Sequence, residues 1–209
     1  MEFSPYVLEA AGQVRNNLFG GLEGTWTTTS GATEATFPRY QVTLSPLQRG
    51  FMDFCLIRAR RSDVYDSVTA IFGKGTVSAA FSLAAYTVDR GVTGGRLRLA
   101  GKTRNIIDTM PVRPAEVRAH IGNQIEVRAG EYYALASIVQ NFGTTGDYPT
   151  LGEVAVSNLL PAAIDTEFPI SYGYASSDNV TDFPATVDMS SLTKSPRAPW
   201  LAFSKMPKD

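Results

Sequence analysis

The sequence is poor in the residues on which most metal and redox chemistry depends, holding one cysteine and one histidine in 209 residues. A lone Cys55 excludes an intrachain disulfide and any cysteine-rich metal site. It sits in the apolar run Phe51-Met52-Asp53-Phe54-Cys55-Leu56-Ile57, so a small buried hydrophobe is expected there. A lone His120 excludes paired-histidine metal sites and histidine proton relays. A Ser-His-Asp triad would have to use it, yet Arg118-Ala119-His120-Ile121-Gly122 reads as a loop or strand edge. No G-x-S-x-G turn supplies a nucleophile either. His120 is therefore expected to be structural or to face solvent.

Charge is also scarce. Charged residues make up 19% of the chain and the formal net charge is -1, so no strong field steers it toward nucleic acid or acidic lipid. Arg58, Arg60 and Arg61 form a short basic cluster that reads as a solvated strand end. No window approaches the roughly 20 apolar residues that a membrane span requires, and no membrane insertion is expected. Met1-Glu2-Phe3-Ser4-Pro5 has no basic region followed by an apolar stretch. No signal peptide is expected, and synthesis is placed in the cytoplasm.

Phosphate-binding loops are missing too. Gly73-Lys74-Gly75-Thr76 lacks the upstream glycine and following helix of a Walker loop, and Gly91 through Gly95 do not match a dinucleotide fingerprint. Asp178, Asp182 and Asp188 share one segment, but their spacing matches no known calcium loop. A carboxylate pair for glycoside hydrolysis is a three-dimensional property that nothing in the sequence selects. No catalytic residue, metal ligand or cofactor is assigned, and the chain is not expected to be an enzyme.

What is present is a globular mixture, with 44% hydrophobic residues, enough apolar area to offset the conformational entropy of one domain. Residues 1–24 form an expected helical docking segment. Ser4 is the N-cap, Pro5 the first helical position, and Gly20-Gly21 the stop. Val7, Ala11, Val14 and Leu18 repeat at coiled-coil spacing, a stripe that suits packing on its own domain, a neighbouring copy or a docking partner.

From residue 25 to 209 the punctuation changes to short strands separated by Gly, Pro, Asp and Asn. Strands are expected at Gln41–Leu44, Phe51–Arg58, Val64–Phe72, Ser78–Val88, Leu97–Ile107, Ile125–Val127, Tyr132–Val139 and Pro199–Phe203. Arg96-Leu97-Arg98-Leu99 alternates with period two. Phe81 to Tyr86 and Tyr132 to Ala136 carry apolar groups on both faces. Such strands need cover from a second sheet and from a loop, helix or neighbouring subunit. Many short strands without crossover helices predict an all-β, jelly-roll-like antiparallel β-sandwich with a short N-terminal helix. Residues 161–198 are expected to be loop-rich.

Aromatic residues supply the candidate binding groups. Tyr172 and Tyr174 share one face of an extended chain, and Phe142 and Tyr148 flank the loop Gly143-Thr144-Thr145-Gly146-Asp147. With Trp200, these rings suit stacking on sugar faces; the same residues also suit a core edge or a subunit interface.

Four segments, taken in order, resemble the C-terminal β-sandwich modules of minor tail proteins from tailed phages of actinobacteria. Leu83-Ala84-Ala85-Tyr86-Thr87-Val88-Asp89 resembles their strand into a glycine-rich turn. Leu97-Arg98-Leu99-Ala100-Gly101-Lys102-Thr103, with Asn105 and Asp108, resembles their next strand and loop. Ile125 to Ala136, through Ala129-Gly130-Glu131-Tyr132-Tyr133, resembles a third strand, followed by Pro149-Thr150-Leu151. Asp182-Phe183-Pro184-Ala185, Ser191-Leu192, Pro196 and Ala198-Pro199-Trp200-Leu201-Ala202-Phe203 resemble their closing segment. The resemblance implies a virion protein of the tail tip or fibre, a homotrimer that contacts other tail proteins and a host cell-wall glycan. A carbohydrate-binding module without catalysis and a head-attached decoration or fibre protein are the alternatives.

Overall fold

The computed structural model describes residues 34–35, 42–46, 51–76, 80–89, 95–111, 113–140, 147, 149–155, 171–175 and 181–206. They form two seven-stranded sheets, antiparallel in every ladder and packed as a sandwich. With strands numbered in chain order, the first sheet runs β1 (Glu34–Ala35), β14 (Leu201–Ser204), β4 (Asp63–Gly73), β9 (Thr150–Ala155) and β13 (Arg197–Pro199). In addition, β2 (Thr43–Pro46) pairs with β9 and β7 (Ala115–Val127) with β4. The second sheet runs β11 (Thr186–Asp188), β6 (Arg96–Lys102), β5 (Ala80–Asp89), β8 (Tyr132–Gln140), β3 (Phe51–Arg58), β10 (Ser171–Ala175) and β12 (Thr193–Lys194). The predicted all-β sandwich is what forms. The expected helix with Val7, Ala11, Val14 and Leu18 lies outside the described residues. Among those residues, no helix is long and apolar enough to cross a membrane.

The layer between the sheets is held by side chains that alternate inward. Cys55 and Ile57 of β3, Phe81, Leu83 and Ala85 of β5, and Tyr133, Leu135 and Val139 of β8 belong to one core with Tyr65, Val68 and Phe72 of β4, Ile121 and Ile125 of β7, and Phe203 of β14. Aromatic contacts bridge the two sheets: Phe72 and Phe81 at 4.1 Å between centroids, and Tyr133 and Phe203 edge-on at 5.7 Å. Offset and edge-on geometries of this kind add stability beyond the area they bury. Cys55 is fully buried, as the sequence predicts.

The opposite face of the second sheet carries a second core. Met52, Phe54 and Leu56, Ala84 and Tyr86, and Ala134, Ala136 and Ile138 are buried together with Leu97, Phe183, Val187 and Met189. The two-sided apolar strands are therefore covered by the opposing sheet on one face and, on the other, by the chain's own 181–192 segment. A neighbouring subunit is not needed for that cover.

Three expectations about elements change. Residues 115–127 are one continuous strand, so His120 sits within β7 rather than in a loop. Its inward positions, Ala119, Ile121 and Ile125, are buried, but the polar stretch Gly122-Asn123-Gln124 masks the alternation. Residues 161–198 were expected to be loop-rich, yet β10 to β13 lie there. These strands are two to five residues long, too short to show a period. Finally, β6 ends at Lys102 rather than continuing to Ile107. The Thr103 hydroxyl accepts a hydrogen bond from Leu83 N–H (2.9 Å) and the Asn105 carbonyl accepts from Phe81 N–H (3.0 Å). These side chains take over the acceptor role on β5, so the following backbone is free to turn away.

Candidate functional site

Two regions bring polar groups from distant parts of the chain together. One is the strap, residues 181–192, that covers the second sheet. Phe183 inserts edge-on against Tyr86 at 6.5 Å, and Tyr86 meets Phe54 edge-on at 5.3 Å. The Tyr86 hydroxyl donates to Pro184 O at 3.0 Å, giving a buried phenol the partner it needs. Burial pushes the Tyr86 phenol well above its ordinary pKa, with the charge of Asp182 adding to it. Backbone bonds fix the strap's course: Leu99 N–H to Ala185 O (2.9 Å) and Met189 N–H to Gly95 O (3.0 Å). Gly95 has φ +81° and would bring a Cβ within 2.9 Å of Met189 Sδ, so both its backbone and its neighbour require glycine.

Ion pairs clamp both ends of the strap. Lys102 Nζ reaches both Asp182 oxygens, at 2.5 and 2.7 Å, and Arg96 Nε reaches Asp188 at 2.7 Å. The hydrogen bond from Lys102, ahead of the other contributions, holds the Asp182 carboxyl below the usual carboxylate range. Arg98 pairs alongside with Asp89 at 2.8 Å. Asp182 and Asp188, weighed above as calcium ligands, are thus engaged with cations, while Asp178 lies outside the described residues. Among the described residues, no group of three or more His, Cys, Asp or Glu is placed to hold a metal ion.

The segments singled out by resemblance meet at this framework. The first and fourth join at Tyr86 and Pro184, the first and second at Leu83 and Thr103, and the second and fourth at Lys102 and Asp182. In the third, Gly130 turns at φ +86°, its N–H bonding Ala59 O at 2.8 Å, while Ala59 N–H bonds Glu131 O at 3.0 Å. The Tyr133 hydroxyl accepts from Arg128 N–H at 2.9 Å and donates to Glu131 at 3.1 Å. Each motif residue has a bonding task, and the tasks interlock.

The other region is a polar end of the inter-sheet layer, and the sequence reading did not select it. Asp53 on β3 lies opposite Ser137 on β8. Glu153 on β9, Arg197 on β13 and Ser45 on β2 approach from the other sheet, with Arg197 Nη1 donating to both Glu153 and Ser45. Burial, and after it the charge of Glu153, pushes the Asp53 carboxyl up to about 7. A signal was present in the sequence: within Phe51 to Ile57, period two puts Asp53 on the same face as Cys55 and Ile57, a charge at a core position.

The glycan-stacking set is not assembled as expected. Trp200 is fully buried, in the main core with its backbone N–H bonded to Gly152 O at 2.8 Å, so it cannot stack on a sugar. That position follows from its place between β13 and β14, where both neighbours are held in ladders. Tyr172 and Tyr174 lie on β10, opposite Phe54 and Met52 in the ladder with β3. Phe142 and Tyr148 lie outside the described residues. His120 is exposed, its Nδ1 accepting from Gly122 N–H at 3.0 Å. Arg58, Arg60 and Arg61 are exposed at the end of β3 and just beyond it, as a solvated strand end should be. Gly73 to Thr76 forms a turn, held by Lys74 N–H to Pro111 O and Thr76 N–H to Asp147 O, each 2.9 Å.

Compared with models of known protein families and with curated proteins, the chain matches none.

Proposed function

We propose that this chain is a structural subunit of a phage virion, at the tail tip or in a fibre, where it assembles with copies of itself and with other tail proteins. The observation that carries the reading is the interlocking of the four segments that resemble minor tail proteins. Residues as far apart as Tyr86 and Pro184, or Lys102 and Asp182, bond one another directly. A pattern that merely scattered common turn motifs along a chain would not be expected to converge on one framework.

The trimer and the host-glycan contact rest on the resemblance alone. The apolar face that might have called for a sister chain is covered from within, and Trp200 is removed from the stacking set. The strap and its ion pairs supply a rigid platform of a kind suited to a particle exposed outside a cell.

Antibody labelling of particles released by a host carrying this gene tests the reading. Gold at the tail tip is expected; gold on the head or on no part of the particle overturns it. Sedimentation of the purified chain at micromolar concentration tests the assembly, with a trimer expected and a monomer counting against it.

A further inference from the structure

Most of the layer between the sheets is apolar, but at one end it holds three charges in close company. Asp53 comes from β3. Glu153 comes from β9, its side chain 14% exposed, and Arg197 from β13, its side chain 57% exposed. The ladders fix these positions. Asp53 is opposite Ser137 on one side and Gly173 on the other, while Glu153 is opposite Thr43 and Pro199. So β8 presents a hydroxyl to Asp53 and β10 presents no side chain at all; beyond β10, Lys194 on β12 is exposed. The Ser137 hydroxyl is buried without a hydrogen-bond partner. By rotating, it can serve either state of Asp53, so charge decides between them.

The count of charge is uneven. Arg197 balances one carboxylate, and its guanidinium is already engaged by Glu153 and Ser45. With a proton on Asp53, this end of the layer is neutral. Without it, two carboxylates face one half-exposed cation, and a net charge is left in a dry layer, which is costly. Deprotonated Asp53 also competes for the guanidinium that ties β13 to β9 and β2.

We propose that Asp53, Glu153 and Arg197 form a single-proton latch: the proton keeps this end of the sandwich closed, and its loss to solvent as pH rises loosens β2 and β13 from β9. The direction of the Asp53 shift agrees. A carboxyl whose folded pKa is raised to about 7 keeps a proton that the unfolded chain has already lost above about pH 4. Its stabilising contribution is whole below the unfolded value, falls as pH rises, and is gone above the folded one.

The test compares thermal unfolding of the full chain and of Asp53→Asn from pH 5 to pH 8.5. The wild-type Tm is expected to fall relative to the variant by roughly 5–10 °C, with the change levelling off above neutral pH. Parallel curves for the two proteins overturn the latch. Carbon-13 NMR of the Asp53 carboxyl in the wild type gives a reading that needs no variant to fold: titration near neutral pH is expected, and an ordinary midpoint near 4 overturns the proposal. In Glu153→Gln the Asp53 midpoint should move down, because the neighbouring anion is gone and Arg197 remains; an unchanged midpoint would show that the two carboxyls do not share the proton.

Discussion

Replacing Phe183 by alanine should release the strap while leaving the sandwich folded. Phe183 is 5% exposed, buried in the second core with Tyr86, Phe54 and Met189. In a rigid core such a truncation costs about 3–5 kcal/mol, the transfer loss plus the cavity. The strap is a single segment that can settle inward, so the cost should lie nearer the transfer part, about 2–3 kcal/mol. At tenfold per 1.4 kcal/mol, this multiplies the equilibrium constant for strap opening by about 30–150. Most of that is expected as local opening. The strap is held by two backbone bonds, one phenol and two exposed ion pairs, whereas the inter-sheet core has its own aromatic contacts and ladders.

Native-state hydrogen exchange reads the two parts separately. Leu99 N–H, bonded to Ala185 O, and Met189 N–H, bonded to Gly95 O, report the strap. Leu83 N–H, bonded to the Thr103 hydroxyl, and Trp200 N–H, bonded to Gly152 O, report the sandwich. In Phe183→Ala the first pair should exchange faster by the stated factor and the second pair should hold. Equal acceleration at all four amides would refute the idea that the strap opens on its own. No acceleration at Leu99 would refute the role given to Phe183.

Tyr86→Phe removes the bond to Pro184 O and keeps the ring, so it should cost about 1 kcal/mol in urea unfolding, with more if the orphaned carbonyl stays dry. Gly101→Ala places a Cβ 2.8 Å from Ile121 O, a backbone atom that cannot step aside; overpacking of that kind should cost about 1–3 kcal/mol, and an unchanged midpoint would mean that β6 and β7 approach less closely than described. Because Lys102 lowers the Asp182 pKa, this pair contributes above the unfolded carboxylate pKa and its contribution is lost as pH falls through the lower folded value. Lys102→Met should therefore remove a small part of the acid sensitivity of the strap amides and leave neutral-pH stability nearly unchanged, as for an exposed pair.

The parts of the fold that could be read in the sequence are those where burial and period agree. The predicted strand Phe51–Arg58 is β3 to the residue, and Tyr132–Val139 differs from β8 by one position. The need for cover on both faces of β5 and β8 was also legible, because Ala84 and Tyr86 face one way while Phe81, Leu83 and Ala85 face the other. What supplies that cover was not legible. Phe183, Val187 and Met189 stand in a stretch whose strands are too short for a period, and only the Lys102–Asp182 and Tyr86–Pro184 contacts show where it goes. Trp200 misled for a related reason. Its neighbours Pro199 and Leu201 belong to separate ladders, with β9 and with β4, so one ring at a strand junction looks exposed in sequence and is buried in space.

Asp53 shows where pattern reading ends and accounting begins. In the run Phe51 to Ile57 an aspartate is a small interruption, and hydrophobic periodicity passes over it. Its cost appears only when Glu153, Arg197 and Ser45, between 8 and 144 residues distant, arrive from the other sheet, as the register of β9 and β13 requires. A strand of this composition in the middle of the layer would bury the charge without relief; at the polar end it is buried beside a second carboxylate and a shared cation. The same physics that excludes charges from the core therefore makes this end the one place in the sandwich where a single proton can change how firmly two sheets are joined.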